Sequence, residues 1–413
     1  MSAPTDSLAA APPTLLEHRS FVAYWGARTS TNGAYQMQAV AVGWQIYALT
    51  GSAFDLGLVG LVQFFPVVVL GVLIGHIADR YDRRVVVGTC QVVKALAAAA
   101  FAVGTIGGFL TRDVMLAILF VSGTARAFET PTMHTLVPGI VPPEILPRAI
   151  AASATASQTA IICGPALGGL LYIFGASTVY LTCTAVFVLA SVLVSQIQMQ
   201  RTPPDKKPVT LDAVFAGFRY IRHNKVVLGA ISLDLFAMLL GGVTALLPIY
   251  AKDVLMTGPW GLGLLRSAPA LGALAVSVWL AHHQLERHVG RVLFSAIAAF
   301  GAATIAFAFS TSIALSMAAL AIYGAADAVS VVIRHSLVQT RTPSEMLGRV
   351  MAVNFMFTGT SGTLGEFRAG TVAAMFGAFT SVLVGGVGAI IVALLWMRLF
   401  PELRRIQTLQ TDH

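Results

Sequence analysis

Charge is what this sequence has least of. Of its 413 residues only 11% are Asp, Glu, Lys or Arg, while 56% are hydrophobic and the mean hydropathy is +0.79. A soluble domain carries about 25% charged residues, so a water-facing surface cannot be built from this supply. Cysteine is nearly as scarce. Cys90, Cys163 and Cys183 fall singly in apolar runs without a CxxC spacing. That excludes a disulfide framework and a thiolate metal site, and leaves them as packing residues. There is no P-loop, so this chain does not itself hydrolyse ATP. No HExxH, GxSxG or paired-acid motif supports an intramembrane enzyme. His282, His283, Glu286 and His288 match no trusted ligand spacing, so neither metal nor cofactor is expected. The N-terminus has no basic segment followed by an apolar stretch, so residues 1–20 read as a cytoplasmic tail rather than a cleaved signal.

What is present is a series of long apolar runs. Stretches of about 20 residues are long enough to cross a bilayer, and twelve occur. Six cover 21–48, 54–78, 85–109, 113–137, 146–174 and 178–199. Six more cover 226–252, 259–282, 290–309, 312–337, 347–375 and 379–400. Alternate connections are basic: His18-Arg19, Arg80/Arg83/Arg84, Arg148, Arg201 to Lys225, Arg287/Arg291, Arg341/Arg349 and Arg404/Arg405. The intervening ones are short and almost uncharged. Basic residues beside spans favour the cytoplasm, and an even count of spans puts both termini there. The net charge of +8 is therefore a topology signal, and no nucleic-acid partner is expected. The expected organisation is an all-α polytopic protein of the plasma membrane: a tail (1–20), a six-helix bundle (21–200), a cytoplasmic linker (201–225), a second bundle (226–400) and a C-terminal tail (401–413).

The linker opens with the Pro- and Lys-rich RTPPDKKP. Leu211, Val214, Phe215, Phe218 and Ile221 then recur on one helical face. The stripe predicts a short interfacial helix on the cytoplasmic leaflet, with a helix packed against the bundle as the alternative. The halves repeat. A shift of 201 residues aligns Gly123–Ala151 with Gly324–Ala352 without a gap, matching His134 with His335, Pro142 with Pro343, Glu144 with Glu345 and Arg148 with Arg349. Two parallel six-span halves are the layout of transporters that rock about a midplane site.

GHIADRYDRR (Gly75–Arg84), between the second and third runs, and CGPALGG (Cys163–Gly169), in the fifth, resemble signatures of the major facilitator superfamily. The resemblance covers essentially the whole chain. The first run from Tyr24 to Gly60, with AGFRYIRHN and TPSEMLGRV, is similar to the enterobactin-exporter and macrolide-efflux branch. Two departures stand out: Ala160 replaces the usual Gly four residues before Gly164, and Thr130 replaces the Gly expected four residues after Arg126. The resemblance implies that spans one, four, seven and ten line a central cavity. It also implies that the opening loop (Gly75, Asp79, Arg80, Arg83, Arg84) is a cytoplasmic gate. Asp79 would accept from the N-terminus of the eleventh span near Ser344-Glu345, where the helix dipole favours an anion, and Arg83 would pair with an acid of a neighbouring span. Gly164, Pro165, Gly168 and Gly169 would give the close helix packing typical of exporters.

Charges inside spans cost roughly 2.5–3.5 kcal/mol each on insertion scales. Arg28, Lys94, Arg126, Glu129, Asp234, Asp327, Arg334, Glu366 and Arg368 are therefore expected to face water or each other. Arg126 and Asp327 are equivalent under the 201-residue shift and are expected to face one another as an ion pair or as opposing substrate contacts. Arg126 and Glu129, three apart, share a helix face. Glu129, Asp327 and Asp234, in that order, are the proton-coupling candidates. Arg28, Arg126, Asn32, Gln36 and Phe236 are the cavity and substrate candidates. The expected activity is secondary export of a small amphipathic compound against protons by a monomer in the lipid bilayer. Import of a polar metabolite is the alternative within transport, and a non-transporting sensor or lipid-handling scaffold the alternative outside it.

Overall fold

The computed structural model describes residues 15–199, 211–283 and 287–408. Among them there is no strand. The N-terminal half comprises α1 (Arg19–Thr50), α2 (Ala53–Val69), α3 (Gly71–Arg80), α4 (Arg83–Ile106), α5 (Arg112–His134), α6 (Leu146–Leu171) and α7 (Ala176–Ser195). The connecting helix α8 (Leu211–His223) leads into α9 (Lys225–Leu240), α10 (Val243–Ile249), α11 (Gly258–His282), α12 (Val289–Ala308), α13 (Ile313–Arg341), α14 (Ser344–Phe376), α15 (Ala378–Leu399) and the short α16 (Pro401–Arg404). Each expected apolar run coincides with a helix or a broken helix. Eight segments among the described residues are long and apolar enough to cross a membrane, and α2 is apolar but shorter.

Two helix breaks matter for function. The second run kinks at Leu70 (φ −98°, ψ 5°), four residues after the buried Pro66. The seventh breaks at Gly241-Gly242, and Gly242 adopts φ +85°, a conformation only glycine takes without strain. The carbonyls freed at the end of α9 are satisfied from α14. Arg368 Nε donates to Leu239 O at 3.0 Å, and its Nη2 donates to Leu240 O and Gly241 O at 2.7 and 2.8 Å. A cation at a helix C-terminus also suits the dipole. A Gly-Gly pair inside an apolar run was the available signal for this break.

The halves meet along α6 against α11 and α2 against α14. Small residues allow the approach. A Cβ on Gly169 would lie 2.7 Å from Pro259 O and 3.0 Å from Gly263 Cα, both on α11. One on Gly370 of α14 would lie 2.7 Å from Ala53 O. Phe54 and Phe367 meet edge to face, 5.6 Å between centroids. A Cβ on Gly164 or Gly168 would instead meet α1 within the N-terminal half, 2.7 Å from Gln36 Cβ or 2.8 Å from Met37 Cα. The connecting helix α8 packs on the C-terminal half. Ile221 is buried with Val227, Val338 and Val350, and Tyr220 donates to Arg341 O at 2.7 Å. Of the two fates its sequence allowed, packing against the bundle is the one adopted. Residues 201–210 and the side chains of Leu211, Val214 and Phe215 lie outside the described residues.

Candidate functional site: a cavity between the halves

A cavity of about 280 Å³ lies where the halves meet, lined by Tyr35, Gln36, Gln63, Thr244, Arg266 and Glu366 among smaller residues. Helices of both halves supply them: α1 and α2 on one side, α10, α11 and α14 on the other. The break at Gly242 positions α10 so that Thr244 Oγ1 donates to Glu366 Oε1 at 2.8 Å. Tyr35 OH donates to Gln63 Oε1 at 3.0 Å. Gln36 lines this cavity. Arg266 was not among the charges singled out from the sequence, although an arginine inside the apolar run GLGLLRSAPALGALAV is a plain signal.

The remaining intramembrane charges settle within one half or the other. Glu129 pairs with Lys94 of α4, and both are almost wholly buried. This corrects the expected Arg126–Glu129 partnership. A lysine one helix away reaches the carboxylate, while Arg126 turns out over the ring of Tyr35, 3.7 Å from its centroid. Glu129 borders a second pocket of about 60 Å³ with Arg28, Thr31, Asn32 and His134. There Ser157 Oγ accepts from Arg28 Nε at 3.0 Å and from Asn32 Nδ2 at 3.1 Å. Arg28 also donates to Tyr24 OH at 2.7 Å. In the C-terminal half Asp234 pairs with Arg334 and accepts from Thr358 Oγ1 at 3.1 Å. Asp327 joins them in a pocket of about 10 Å³, and among the described residues it forms no ion pair.

Arg126 and Asp327 therefore do not form an ion pair, one of the two arrangements expected of them: Arg126 lies on Tyr35 and Asp327 inside the opposite half. Phe236 is also placed elsewhere. It packs on Trp396 of α15, 5.1 Å between centroids, and does not line the cavity, because its position on α9 turns it toward α15 rather than toward α1.

Closure differs between the two faces. At the weakly charged face Tyr47 of α1 donates to Asp253 beyond α10, and Lys252 lies over the Tyr47 ring, 5.2 Å from its centroid. Deeper in, Ser267 Oγ donates to Ile162 O at 2.6 Å. Among the described residues these are the hydrogen bonds that cross between the halves. At the basic face the arginines bond within their own half. Arg83 Nη1 donates to Thr135 O at 3.0 Å, so a backbone carbonyl takes the place of the expected acid. Arg84 pairs with Asp82 at 2.7 Å and donates to Ile197 O at 3.0 Å. Arg80 is exposed, and the side chain of Asp79 and the surroundings of Gly75 lie outside the described residues. Among the described residues, hydrogen bonds thus join the halves on the side of the weakly charged face, while Arg83 and Arg84 at the basic face bond within their own half.

The sequence pattern of the transmembrane secretion effector family matches residues 10–412. The chain belongs to this family of the major facilitator superfamily. A protein named enterobactin exporter in Citrobacter koseri is 29% identical over 408 residues, covering 95% of this chain and 94% of that one. Its namesake in Salmonella typhi is 28% identical, with 95% of each chain covered. Solved structures share the fold. A nucleoside transporter superposes with TM-score 0.74 at 13% identity, covering 92% of this chain and 100% of that one. A bacterial homologue of the iron transporter ferroportin gives 0.70 at 18% identity, covering 93% and 99%.

Proposed function

We propose that this protein is a secondary active exporter that moves a small amphipathic compound, of the siderophore or drug class, out of the cell in exchange for protons. The observation that carries the reading is the polar cavity between two halves that hydrogen-bond to each other toward one face, while Arg83 and Arg84 at the other face bond within their own half. All twelve helical rods are taken to span the membrane, with the basic face and both termini in the cytoplasm. The polar character of α1, α5 and α14 then follows from their facing the cavity and its vestibule. The protein works as a monomer. An importer of a polar metabolite is less well supported, because the curated relatives are named exporters.

Energetics allow the exchange. One proton moving down about 150 mV supplies roughly 3.5 kcal/mol, enough at 1.4 kcal/mol per decade for a gradient of about two to three orders of magnitude. Asp327, which forms no ion pair among the described residues, and Glu129, beside an open pocket, carry the proton. Asp234 is the third candidate, held by Arg334. The gate around Asp79–Arg84 closes when the cavity opens to the other face, and the packing at Gly164–Gly169 favours the outward direction. The test is uptake of enterobactin into inside-out vesicles under an imposed pH gradient. Accumulation that follows the gradient in wild type, and is reduced at least tenfold in Glu129→Gln or Asp327→Asn, is expected. Accumulation indifferent to the gradient contradicts proton coupling.

A further inference from the structure

The central cavity contains two opposite charges that do not meet. Arg266 Nε is buried without a hydrogen-bond partner, whereas Glu366 uses one carboxylate oxygen on Thr244. Neither belongs to an ion pair among the described residues. Asp327 apart, the intramembrane charges singled out from the sequence have partners, among them Lys94 with Glu129, Asp234 with Arg334, and Arg368 with three carbonyls. Buried polar atoms in native proteins nearly always have a partner, so an arginine left open beside a cavity points to something that completes it. Room beside Glu366 comes from the opposite half: a Cβ on Gly60 would stand 2.8 Å from Glu366 Oε2.

Resting on the exporter reading, we propose that Glu366 is the point where cargo and proton exclude each other and that Arg266 anchors the cargo. The cargo presents a hydrogen-bond donor, a hydroxyl or ammonium, to Glu366 Oε2 and a neighbouring carbonyl or anionic oxygen to Arg266. An ionised carboxylate only accepts hydrogen bonds, whereas a protonated one has given an oxygen to the proton. With Oε1 held by Thr244, Oε2 takes either the cargo's donor or H⁺. Loading from the cytoplasm therefore converts Glu366–COOH plus cargo into Glu366–COO⁻·cargo plus one H⁺ released inside. Unloading at the other face takes one H⁺ from outside, regenerates Glu366–COOH and frees the cargo. Linkage makes the two effects equal: the factor by which a proton weakens cargo binding is the factor by which cargo weakens proton binding. Glu129 and Asp234 are held inside single halves, and Asp327 lies in a space with room for about one water. Those groups relay protons, while Glu366 alone of the four lines the central cavity.

The test uses full-length protein in nanodiscs with enterobactin as probe, its affinity read between pH 5.5 and 8 with proton release into weak buffer. Wild type is expected to release protons on binding, with affinity falling by up to about tenfold per pH unit on acidification, the limit for one competing proton. Glu366→Gln mimics the protonated acid, so it is expected to bind weakly, near the wild-type affinity at pH 5.5, with no pH dependence and no proton release. Glu366→Asp, which retains the acid, restores release. Arg266→Gln is expected to weaken binding at least tenfold while each bound ligand still releases its proton. Release by Glu366→Gln equal to wild type, wild-type affinity that ignores pH, or no enterobactin binding at all overturns the proposal. Gradient-driven vesicle uptake that survives Glu366→Gln overturns this assignment and leaves the exporter reading standing. Uptake that ignores the gradient in wild type overturns the exporter reading itself.

Discussion

At the scale of single residues, the account turns on how each buried charge is compensated. The Lys94–Glu129 pair is almost wholly buried, and removing one member strands the other at a cost of about 3–5 kcal/mol. Lys94→Met is therefore expected to lower the melting temperature of the purified protein markedly, and the Lys94→Met/Glu129→Leu double variant to regain most of the loss. A double variant as unstable as the single one would show that packing rather than charge governs the site. Gly60→Ala places a methyl 2.8 Å from Glu366 Oε2. On the proposed exporter reading, with enterobactin as the probe, it should weaken binding at least tenfold with little change in melting temperature, as isothermal titration and thermal unfolding would report. The presence of these charges was legible in the sequence, because ionised residues in apolar runs need a reason. Their partners were not. Arg126 sits three residues before Glu129 and shares its face, yet Lys94 on the adjacent helix reaches the carboxylate. Helix periodicity orders neighbours along one helix and is silent on what the next helix presents.

At the scale of elements, small residues set how closely the halves approach. A Cβ on Gly169 would lie 2.7 and 3.0 Å from the backbone of α11, so a methyl there must push α6 and α11 apart, and overpacking of this kind costs about 1–3 kcal/mol. Gly169→Ala is expected to reduce the melting temperature and to lengthen the distance across the weakly charged face measured between spin labels. Asp253→Asn weakens the Tyr47 bond between the halves, and should lengthen the same distance without a comparable loss of stability. An unchanged distance in both variants would contradict the assignment of this face as a closed gate. The GPALGG motif marked α6 as a packing element from sequence, but not that Gly164 and Gly168 serve α1 while Gly169 serves α11. The rotation of a helix about its axis decides that, and packing partners fix the rotation. The break at Gly242, which brings Thr244 to Glu366, was visible only as an unremarked Gly-Gly pair.

At the scale of the whole molecule, a scarcity of charge and an alternation of basic loops were enough to place the chain among polytopic helical proteins, and the family match agrees. The state of the gates was not legible, since either face of such a molecule closes with the same residues in different pairings. The structure joins the halves at the weakly charged face through Tyr47–Asp253 and deeper in through Ser267–Ile162, while Arg83 and Arg84 bond inside their own half. Opening the first set and closing the basic face exposes the same cavity to the other side, which is the exchange the proposed function requires. The most direct measurement is a pair of spin-label distances on full-length protein in nanodiscs with the native cysteines replaced by alanine. Labels at Phe109 and Thr311 span the weakly charged face, and labels at Tyr81 and Ser344 span the basic face. Between pH 8 and pH 5.5, with and without enterobactin, the account predicts reciprocal change: populations with the first distance long have the second short. Distances that move together, or that do not move under any of these conditions, would contradict alternating exposure of the cavity.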